Sequence, residues 1–583
     1  MTAPVYVGID LGTTNTSLAY AVDAADIIAL EVPQLVGRSA TEGRAQLPSF
    51  LYVAHESDGA MPLPWDDSQR FAVGEYARTR GLDAPSRLVS SAKSWLCHPT
   101  MDRRAAMLPL DAPTDVEKVS PVEASYRYLE HLSAAFARAM TPHTLSGSPV
   151  VLTVPASFDA AARELTVEAA FAAGLEDVTL LEEPQAAVYA WVASHPNDWR
   201  THLKAGDLLL VVDVGGGTTD FSAISVVDRD GDLDLQRVAV GDHLLLGGDN
   251  MDLLLSHLCK QKLEADGKTV DRWQATALVF AARAAKESLL SDASIDRAPV
   301  AVASKGSALV GGALRTELTR EEVTRAIVDG FFPVVKADAK PQAFSRSGFA
   351  QLGLPYARDP AVTRHLASFL TRQASSATPS VVLFNGGVMK SKVLRDRVLD
   401  VLADWGGARP RELPGADYDL AVARGAAFYN RSKHEGGVRI RGGTARAFYV
   451  GIESPVPAVP GMDPPVLALC IAPFGMEEGT TIDVDVQGLG LIVGEKVRFR
   501  FFGSSVRRQD KAGALLDGFG DELTEMGPIE VSIPSEGGRS GDFLPVSLRS
   551  EVTAVGTLKL FAIDKTVARP PWEIELAIRD TVP

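Results

Sequence analysis

The chain has 583 residues, of which 46% are hydrophobic and 23% are charged, a composition that excludes wholesale disorder. At about 150 residues per unit, this length predicts roughly four domain-sized units, some of them lobes of one larger domain. The 58 basic and 74 acidic side chains give a formal charge of −16. This excess of acid disfavours nucleic acid and anionic lipid as partners, because both need clustered lysine and arginine.

Cysteine content and hydropathy indicate the compartment. Three cysteines occur, far apart in the chain, so the sequence supports neither a disulfide framework nor a cysteine-based zinc site. No uninterrupted apolar stretch reaches the length of about 18 residues that a membrane span needs, and the first residues lack the pattern of a secretory signal. We therefore expect a cytoplasmic protein with no membrane partner.

Three apolar segments are each followed directly by a glycine turn, the pattern of buried strands that meet tight turns. They cover residues 5–15, 208–220 and 380–387. The first two share one order of residues, namely a strand, an aspartate, one apolar residue, glycine, paired threonines and a second strand. Asp10 and Asp213 are about 200 residues apart, too far for a solenoid repeat. The similarity therefore predicts two duplicated lobes that face each other, each presenting one hairpin turn.

The segments between these strands have helical patterns, so the alternation predicts an α/β fold. The predicted helices cover residues 158–173, 184–193, 278–290, 320–329 and 392–404. Near residue 433 the pattern changes to a Gly-rich polar link and then to short alternating runs separated by Gly, Pro and Asp. We therefore predict three parts, a two-lobed α/β domain over 1–432, a linker over 433–443 and a smaller all-β domain over 444–583.

The paired turns have a use in phosphate chemistry. Glycine lets backbone N–H groups approach and point at phosphate oxygens, and threonine hydroxyls add donors without adding charge. An aspartate at the strand end would repel a phosphate unless a cation or water lies between them. The chain has no P-loop sequence. Two such turns from opposite lobes therefore predict a grip on one triphosphate from both sides.

Here the sequence resembles a known family. The two turns look like the phosphate motifs of the seventy-kilodalton heat-shock chaperones, which belong to the actin and sugar-kinase ATPase superfamily. Further segments are similar to those chaperones, at 152–158 with Arg163, 181–187, 241–242 with 247–252, 382–387, 419–427 and, more loosely, 91–96. The resemblance covers residues 5–430 well and 444–580 weakly. It implies an actin-like nucleotide-binding ATPase domain followed by a substrate-binding β domain.

The resemblance also implies residue roles. Asp10 and Asp213 would hold Mg²⁺ through its waters. The catalytic set would be Lys93, Glu183, Asp213 and Thr218. The nucleotide would contact Gly12, Thr13, Thr14, Asn15, Gly215, Gly216, Gly217, Thr219, Gly247, Gly248, Lys286, Gly386, Gly387, Lys390 and Asp419. Pro155 and Arg163 would form an allosteric switch that reports the nucleotide state to the second domain.

The adenosine clamp departs from the family pattern. The family offers Glu-x-x-Lys-Arg-x-x-Ser, whereas residues 283–290 keep Lys286, exchange the acid and the arginine, and place Leu290 at the serine. Lys390 stands where the family has an arginine that stacks on the base, and lysine stacks less well. We still expect ATP to bind, because its phosphates and Mg²⁺ dominate the affinity.

Three other departures concern segments outside the clamp. Residues 345–377 form an insertion, with a helix predicted over 362–370, to which the sequence assigns no role. The link carries Val438 and Ile440 between two arginines instead of a Leu-rich segment, which predicts weak or altered coupling. The chain ends soon after Ile578, so we expect a divergent, lidless, bacterial-type member that exchanges polypeptide quickly.

These observations predict an ATPase that uses ATP/ADP and Mg²⁺ and couples hydrolysis to polypeptide binding. The expected partners are unfolded or extended polypeptides and a co-chaperone or nucleotide-exchange factor, without nucleic acid or membrane. Two alternatives stay open at this point. One is a nucleotide-gated scaffold or filament protein with little turnover, and the other is a small-molecule kinase of the same superfamily.

Overall fold

Two sheets with the same internal arrangement organise the larger part of the chain. The computed structural model describes residues 3–98, 101–110, 112–229, 232–292, 294–303, 312–342, 354–372, 378–441, 443–444, 446–453, 466–477, 479–494, 496–504, 506–526, 529–532, 542–553, 558–567 and 569–574. Within them it has a two-lobed α/β domain followed by a β domain, so the predicted fold class is confirmed.

The first lobe is built on a sheet of order β11-β10-β1-β2-β3, with β6 also paired to β2. Its strands are β1 (Val5–Leu11), β2 (Asn15–Val22), β3 (Ile28–Ala29), β4 (Val32–Gly37), β5 (Ala40–Arg44), β6 (Leu47–Pro48), β7 (Leu51–Val53), β8 (Phe71–Val73), β9 (Leu88–Val89), β10 (Val150–Val154) and β11 (Val178–Glu182). The central strands β1 and β10 are apolar and buried almost throughout, as expected of strands that are covered on both faces.

The second lobe repeats this plan with a sheet of order β18-β17-β12-β13-β14-β19. Its strands are β12 (Leu208–Val214), β13 (Thr219–Arg229), β14 (Asp232–Val240), β15 (Arg297–Ala303), β16 (Ala313–Thr319), β17 (Val381–Asn385), β18 (Arg411–Glu412) and β19 (Ile440–Arg441). In each lobe an antiparallel hairpin, β1–β2 or β12–β13, has a parallel strand beside its first member. The duplication predicted from the two turns is therefore confirmed.

Twelve α-helices lie in the described residues, and they surround and join the two sheets. They are α1 (Glu75–Asp83), α2 (Ala92–Trp95), α3 (Pro121–Ala139), α4 (Ala160–Ala172), α5 (Glu183–Ser194), α6 (Trp199–His202), α7 (Gly248–Ala265), α8 (Arg272–Ser291), α9 (Arg320–Phe331), α10 (Val362–Arg372), α11 (Lys392–Gly406) and α12 (Ala421–Glu435). Each predicted helix is confirmed with shifted ends, whereas α1, α2, α3, α6 and α7 were not predicted. Every helix in the described part of the chain is too short or too polar to cross a bilayer.

Helices α5 and α12 cross at a glycine and join the lobes. A Cβ at Gly425 would lie 1.7 Å from the carbonyl oxygen of Ala186, and a Cβ at Gly8 would lie 2.2 Å from the backbone nitrogen of Ala427. Backbone therefore touches backbone where α12 meets α5 and β1. Because α5 shares one buried cluster with Val151 of the first lobe and Val211 of the second, this crossing fixes the lobes to each other.

We expect Gly425→Ala to lower the free energy of unfolding by about 3 kcal/mol, because the added methyl group can fit only if one helix moves. Urea unfolding followed by circular dichroism measures this. Gly330→Ala is the matched control, since Gly330 is an exposed glycine in α9 whose added Cβ would meet only a leucine methyl group at 3.7 Å. This control should be neutral or slightly stabilising. Equal effects of the two substitutions would contradict the crossing argument.

Acid should destabilise the first lobe through His131 of α3. Its Nε2–H donates to the carbonyl of Pro33 at 2.9 Å, and burial lowers the pKa of His131 to about 4. In an unfolded chain histidine titrates at about 6.5, so between these values the unfolded state binds the proton more strongly. Stability is therefore complete above pH 6.5 and falls as the pH drops toward 4.

The expected loss from His131 over that range is about 3 kcal/mol. His131→Gln keeps an amide donor for Pro33 but does not titrate, so its unfolding free energy should fall less between pH 6.5 and 4. Urea unfolding at a series of pH values checks this, with His257→Gln, an exposed histidine of α7, as the control. A His131→Gln protein with the same pH dependence as wild type would refute the expectation.

The β domain packs two sheets around one buried cluster. Its strands are β20 (Ala447–Glu453), β21 (Val466–Ala472), β22 (Thr480–Val484), β23 (Gly490–Ile492), β24 (Lys496–Phe499), β25 (Phe501–Ser504), β26 (Leu515–Leu516), β27 (Thr524–Glu525), β28 (Ile529–Ser532), β29 (Phe543–Val552), β30 (Leu558–Asp564) and β31 (Trp572–Ile574). One of the two packed sheets has the order β26-β21-β20-β25-β27, and the other has the order β22-β29-β30-β31 with β23 also paired to β29. Strands β24 and β28 form a separate two-stranded sheet. Val450 and Ile471 of the first meet Val484 and Leu548 of the second.

The segment after α12 is docked on the second lobe. Residues 440 and 441 form β19, which pairs in parallel with Leu235 and Gln236 of β14. The backbone N–H of Ile440 donates to the Tyr189 hydroxyl at 2.7 Å, and Val438 packs on the cluster between the lobes. The predicted linker over 433–443 therefore begins in the last turn of α12, which ends at Glu435, and then continues as a sheet strand.

The insertion contacts both lobes where it is described. Helix α10 confirms the helix predicted over 362–370, and its Phe369 ring stacks on Phe221 of β13 with centroids 5.8 Å apart. The N–H of Ala357 donates to the carbonyl of Leu245 at 3.1 Å, whereas Leu354 packs against the core cluster of the first lobe. Residues 345–353 and 373–377 of the insertion lie outside the described residues.

Candidate active site

The two hairpin turns meet at one end of a cleft of about 780 Å³ between the lobes. A Cβ at Gly216 would lie 2.0 Å from the hydroxyl oxygen of Thr14, and a Cβ at Gly217 would lie 2.7 Å from the methyl group of Thr13. Only glycine allows this approach of one turn to the other. Sequence similarity between distant segments thus corresponds to physical contact between them.

Most of the predicted site residues line this cleft. From the first lobe these are Asp10, Gly12, Thr13, Thr14, Asn15 and Glu183, and from the second they are Asp213, Gly215, Gly216, Gly217, Thr218, Gly248, Lys286, Gly386, Gly387, Lys390 and Asp419. The cleft therefore combines turn backbone, hydroxyl groups, carboxylates and lysines, the groups that hold a phosphate chain and a hard cation.

Lys93 lies beneath the cleft wall and forms an ion pair with Glu183. Lys93 lies on the short helix α2 and is 4% exposed. Its ammonium is 5.8 Å from the centroid of the Phe158 ring. Burial lowers the pKa of Lys93, but the negative charges of Glu183 and Asp10 outweigh it and raise the pKa above its ordinary value. The group is therefore a fixed positive charge beside the acidic end of the cleft.

Asp10 and Asp213 occupy equivalent positions in the two lobes. Each is hydrogen-bonded by its partner on the neighbouring parallel strand, Asp10 by the Thr153 hydroxyl at 3.2 Å and Asp213 by the Asn385 amide at 2.7 Å. Burial first, and then the charge of Glu183, raise the pKa of both aspartates to about 7. Buried carboxylates that resist ionisation alone are suited to facing a cation.

Three further polar residues form a cluster that the sequence did not predict. The Ser157 hydroxyl lies 2.6 Å from Oδ1 of Asp220 and 2.7 Å from Nδ1 of His243. Asp220 is 4% exposed, and burial, with the charge of Glu183, raises its pKa to about 7. Asp220 ends the second turn motif and Ser157 lies in a motif segment, whereas no sequence signal marks His243.

A few predicted residues lie outside the cleft lining. The Thr219 hydroxyl is buried and donates to the carbonyl of Leu246 at 2.7 Å, so it supports the turn. Gly247 lies behind the turn, where a Cβ would be 2.6 Å from the carbonyl oxygen of Gly216. Pro155 follows β10, and Arg163 of α4 donates to Glu182 at 3.0 Å.

The far end of the cleft shows how the exchanged clamp residues are accommodated. Arg283 of α8 forms ion pairs with Asp249 and Asp252 of α7, and Lys286 lies 2.7 Å from the other oxygen of Asp252. The charge of Arg283 is therefore neutralised within the second lobe. At the mouth, Lys390 forms a 2.6 Å ion pair with Asp419. Leu290, Val388 and Tyr418 provide the apolar surface of this end.

The family model described as Hsp70 protein matches residues 6–402, which include both turns and the Lys93–Glu183 pair. The chain belongs to the Hsp70 family. Membership implies a nucleotide site, and the glycine-threonine turns of both lobes meet in the cleft just described.

Individual relatives are also chaperones by name. A chaperone protein HscA homolog of Bordetella pertussis strain Tohama I is 33% identical over 326 residues, covering 54% of this chain and 45% of the relative. HscA homologs of Acinetobacter baumannii strain ATCC 17978 and Bordetella petrii are 29% and 35% identical over 302 and 292 residues. These matches cover 50% and 48% of this chain, and 43% and 41% of the relatives. The chain thus spans less than half the length of these curated relatives.

Proposed function

We propose that this chain is an ATP-dependent chaperone of the Hsp70 type, which hydrolyses ATP to ADP and phosphate and couples hydrolysis to polypeptide binding by the β domain. One observation carries the proposal. Two glycine-threonine turns from opposite lobes meet beside a buried lysine–glutamate pair in one cleft. The turns supply phosphate donors, and the pair supplies the charge and the carboxylate that hydrolysis needs.

In this proposal the phosphates lie between the turns. Thr13 and Thr14 contact them from the first lobe, and Gly215, Gly216 and Thr218 contact them from the second. The nucleoside lies toward Lys286 and Lys390, against the apolar surface at the far end of the cleft. Because Lys390 is already paired with Asp419, it would contact the nucleobase more weakly than an arginine stacked on the base.

The donor set of the cleft fits Mg²⁺. Asp10 and Asp213 present carboxylate oxygens from opposite lobes, each held by a hydrogen bond, and Mg²⁺ prefers oxygen ligands while keeping several waters. These two aspartates would therefore hold the ion through its waters. When bound, the ion would neutralise charge that develops on the phosphate oxygens.

Hydrolysis then needs a water placed in line with the γ-phosphate. We assign its orientation to the Glu183 carboxylate, which lines the cleft, and the stabilisation of the transferred phosphoryl group to Lys93. The ion pair between them holds both side chains in place before the substrate arrives, so little reorganisation is required in the transition state.

The β domain is proposed to hold extended polypeptide, with the division 1–432, 433–443 and 444–583 as its domain plan. The docked β19 supports coupling, because it joins the β domain to the second lobe. Pro155 and Arg163 are proposed as the switch, since Arg163 pairs with Glu182, the residue before Glu183. A co-chaperone or exchange factor and a cytoplasmic location, where three free cysteines stay reduced, complete the proposal.

The test is ATP binding by calorimetry and single-turnover hydrolysis with Mg²⁺, each with and without a reduced, unfolded polypeptide. We expect micromolar or tighter binding, and hydrolysis whose rate changes with polypeptide. Asp213→Asn is expected to bind ATP with a weaker response to Mg²⁺. ATP-dependent sedimentation with no turnover would instead support a scaffold, and phosphorylation of a sugar or polyol would support a kinase. Absence of ATP binding would refute the proposal.

A further inference from the structure

Ser157 connects the two lobes at the base of the cleft. It follows β10 of the first lobe, whereas Asp220 lies on β13 and His243 follows β14 in the second lobe. Its hydroxyl oxygen is 2.6 Å from Oδ1 of Asp220 and 2.7 Å from Nδ1 of His243. One small side chain therefore bridges a carboxylate and an imidazole from the opposite lobe.

The number of protons available on Ser157, Asp220 and His243 fixes the direction of these hydrogen bonds. A serine hydroxyl has one proton, and an ionised carboxylate only accepts. In the ionised form of Asp220, which prevails above pH 7, Ser157 donates to Asp220, so the proton between Ser157 and His243 must be the Nδ1–H of His243. The imidazole is then protonated at Nδ1 alone, and its Nε2 is buried with no hydrogen-bond partner among the described residues.

The surroundings of His243 keep it neutral in this arrangement. Burial first, and then the positive charge of Lys93, lower the pKa of His243 to about 4. The imidazole and the Phe158 ring are also perpendicular to each other with centroids 5.8 Å apart, and the Lys93 ammonium lies 5.8 Å from the centroid of the same ring. Two indirect contacts therefore connect His243 with the charged groups behind the cleft, one through Ser157 to Asp220 and one through Phe158 to Lys93.

We propose that His243 is a positioning residue for ATP hydrolysis, which donates its Nδ1–H to Ser157 and so holds the Ser157 hydroxyl on Asp220 beside Lys93 and Glu183. The inference rests on the proposed ATPase function and adds to it a residue that no turn motif contains. Its physical basis is preorganisation. A hydroxyl fixed by one acceptor and one donor cannot rotate away, so the carboxylate keeps one orientation.

The variants separate hydrogen bonding from packing. His243→Asn can place an amide donor where Nδ1 lies, whereas His243→Leu fills the space without a donor. Ser157→Ala removes the bridging hydroxyl. We expect His243→Leu and Ser157→Ala each to slow single-turnover hydrolysis about tenfold, with the Kd for ATP changed less than twofold.

Two comparisons decide the matter. The double variant should be no slower than either single variant, because both remove the same interaction. His243→Asn should recover most of the wild-type rate. If His243 acts only by packing, the leucine variant keeps the rate and the asparagine variant loses it. That result would overturn the proposal.

A second measurement does not depend on turnover. In full-length protein with ¹⁵N-labelled histidine, the His243 imidazole, identified as the signal that His243→Leu removes, should be protonated at Nδ1, and Ser157→Ala should change that signal alone. A His243 protonated at Nε2 would overturn the positioning contact even if hydrolysis is normal. Wild-type protein that binds but does not hydrolyse ATP would refute the proposed ATPase, while the imidazole signal would still decide whether His243 holds Ser157.

Discussion

Lys93→Met is expected to slow single-turnover ATP hydrolysis at least about a hundredfold, the cost of losing one preorganised charge in a water-excluded site. Lys93 is 4% exposed and is paired with Glu183, so its ammonium is held behind the cleft wall with little freedom. The methionine side chain has a similar length but no charge. It would leave Glu183 facing Asp10 and Asp213 without the cation that now stands among them.

Rapid mixing with radiolabelled ATP measures the chemical step, and calorimetry measures ATP affinity separately. Affinity should fall far less than rate, because the turns still hold the phosphates. Lys118→Met is the matched control, since Lys118 is a lysine of the first lobe that donates to the Leu110 carbonyl at 3.0 Å and does not line the cleft. A Lys93→Met protein that hydrolyses ATP at the wild-type rate would remove Lys93 from the mechanism.

Arg237→Ala is expected to release the docked linker and to abolish communication between the cleft and the β domain. The Arg237 side chain is 4% exposed and donates both to the Glu182 carboxylate and to the carbonyl of Gly443. Glu182 also accepts from Arg163 at 3.0 Å and from Gln185 at 3.1 Å. Despite burial, the two arginine charges hold the pKa of Glu182 below its ordinary value. Alanine at residue 237 would leave the buried Glu182 carboxylate with Arg163 as its remaining arginine partner, which destabilises the ionised carboxylate.

Limited trypsin digestion measures the release, because Arg439 and Arg441 lie in the linker and a protease needs an extended, undocked segment. We expect cleavage there to be about tenfold faster in Arg237→Ala and no longer to depend on ATP. Arg229→Ala is the control, an exposed arginine at the end of β13 on the same hairpin. Equal cleavage of wild type and Arg237→Ala would show that the linker is held by β19 pairing alone.

The sequence predicted the parts of the site whose chemistry is local. Each glycine-threonine turn can be recognised from its own residues. Gly216, for example, must be glycine because a Cβ there would collide with Thr14 of the other turn. The helices were predicted where caps and periodicity agree. Helix α3 was missed although Ser120 accepts from the N–H of Glu123 at 3.0 Å, and α7 was missed because it begins in the glycines of a turn.

The unpredicted parts depend on residues that are distant in the chain. Asn385 orients Asp213 from another strand, and His243 reaches Ser157 from the other lobe. Neither contact follows from composition or spacing, because the register of parallel strands is set by the assembled core. The linker shows the same limit. A short alternating run around Ile440 is typical both of a flexible linker and of an edge strand. It becomes a strand here because β14 offers an edge with which it can pair.

Docking of β19 has a consequence for solubility. β14 spans nine residues and has β13 on one side, and in the described part of the chain β19 covers Leu235 and Gln236 on the other. Whenever the linker leaves, that side presents unpaired backbone donors and acceptors, the template on which strands of other molecules add. The linker therefore also covers a sheet edge, and the same movement that would signal to the β domain would expose the two-lobed domain to self-association.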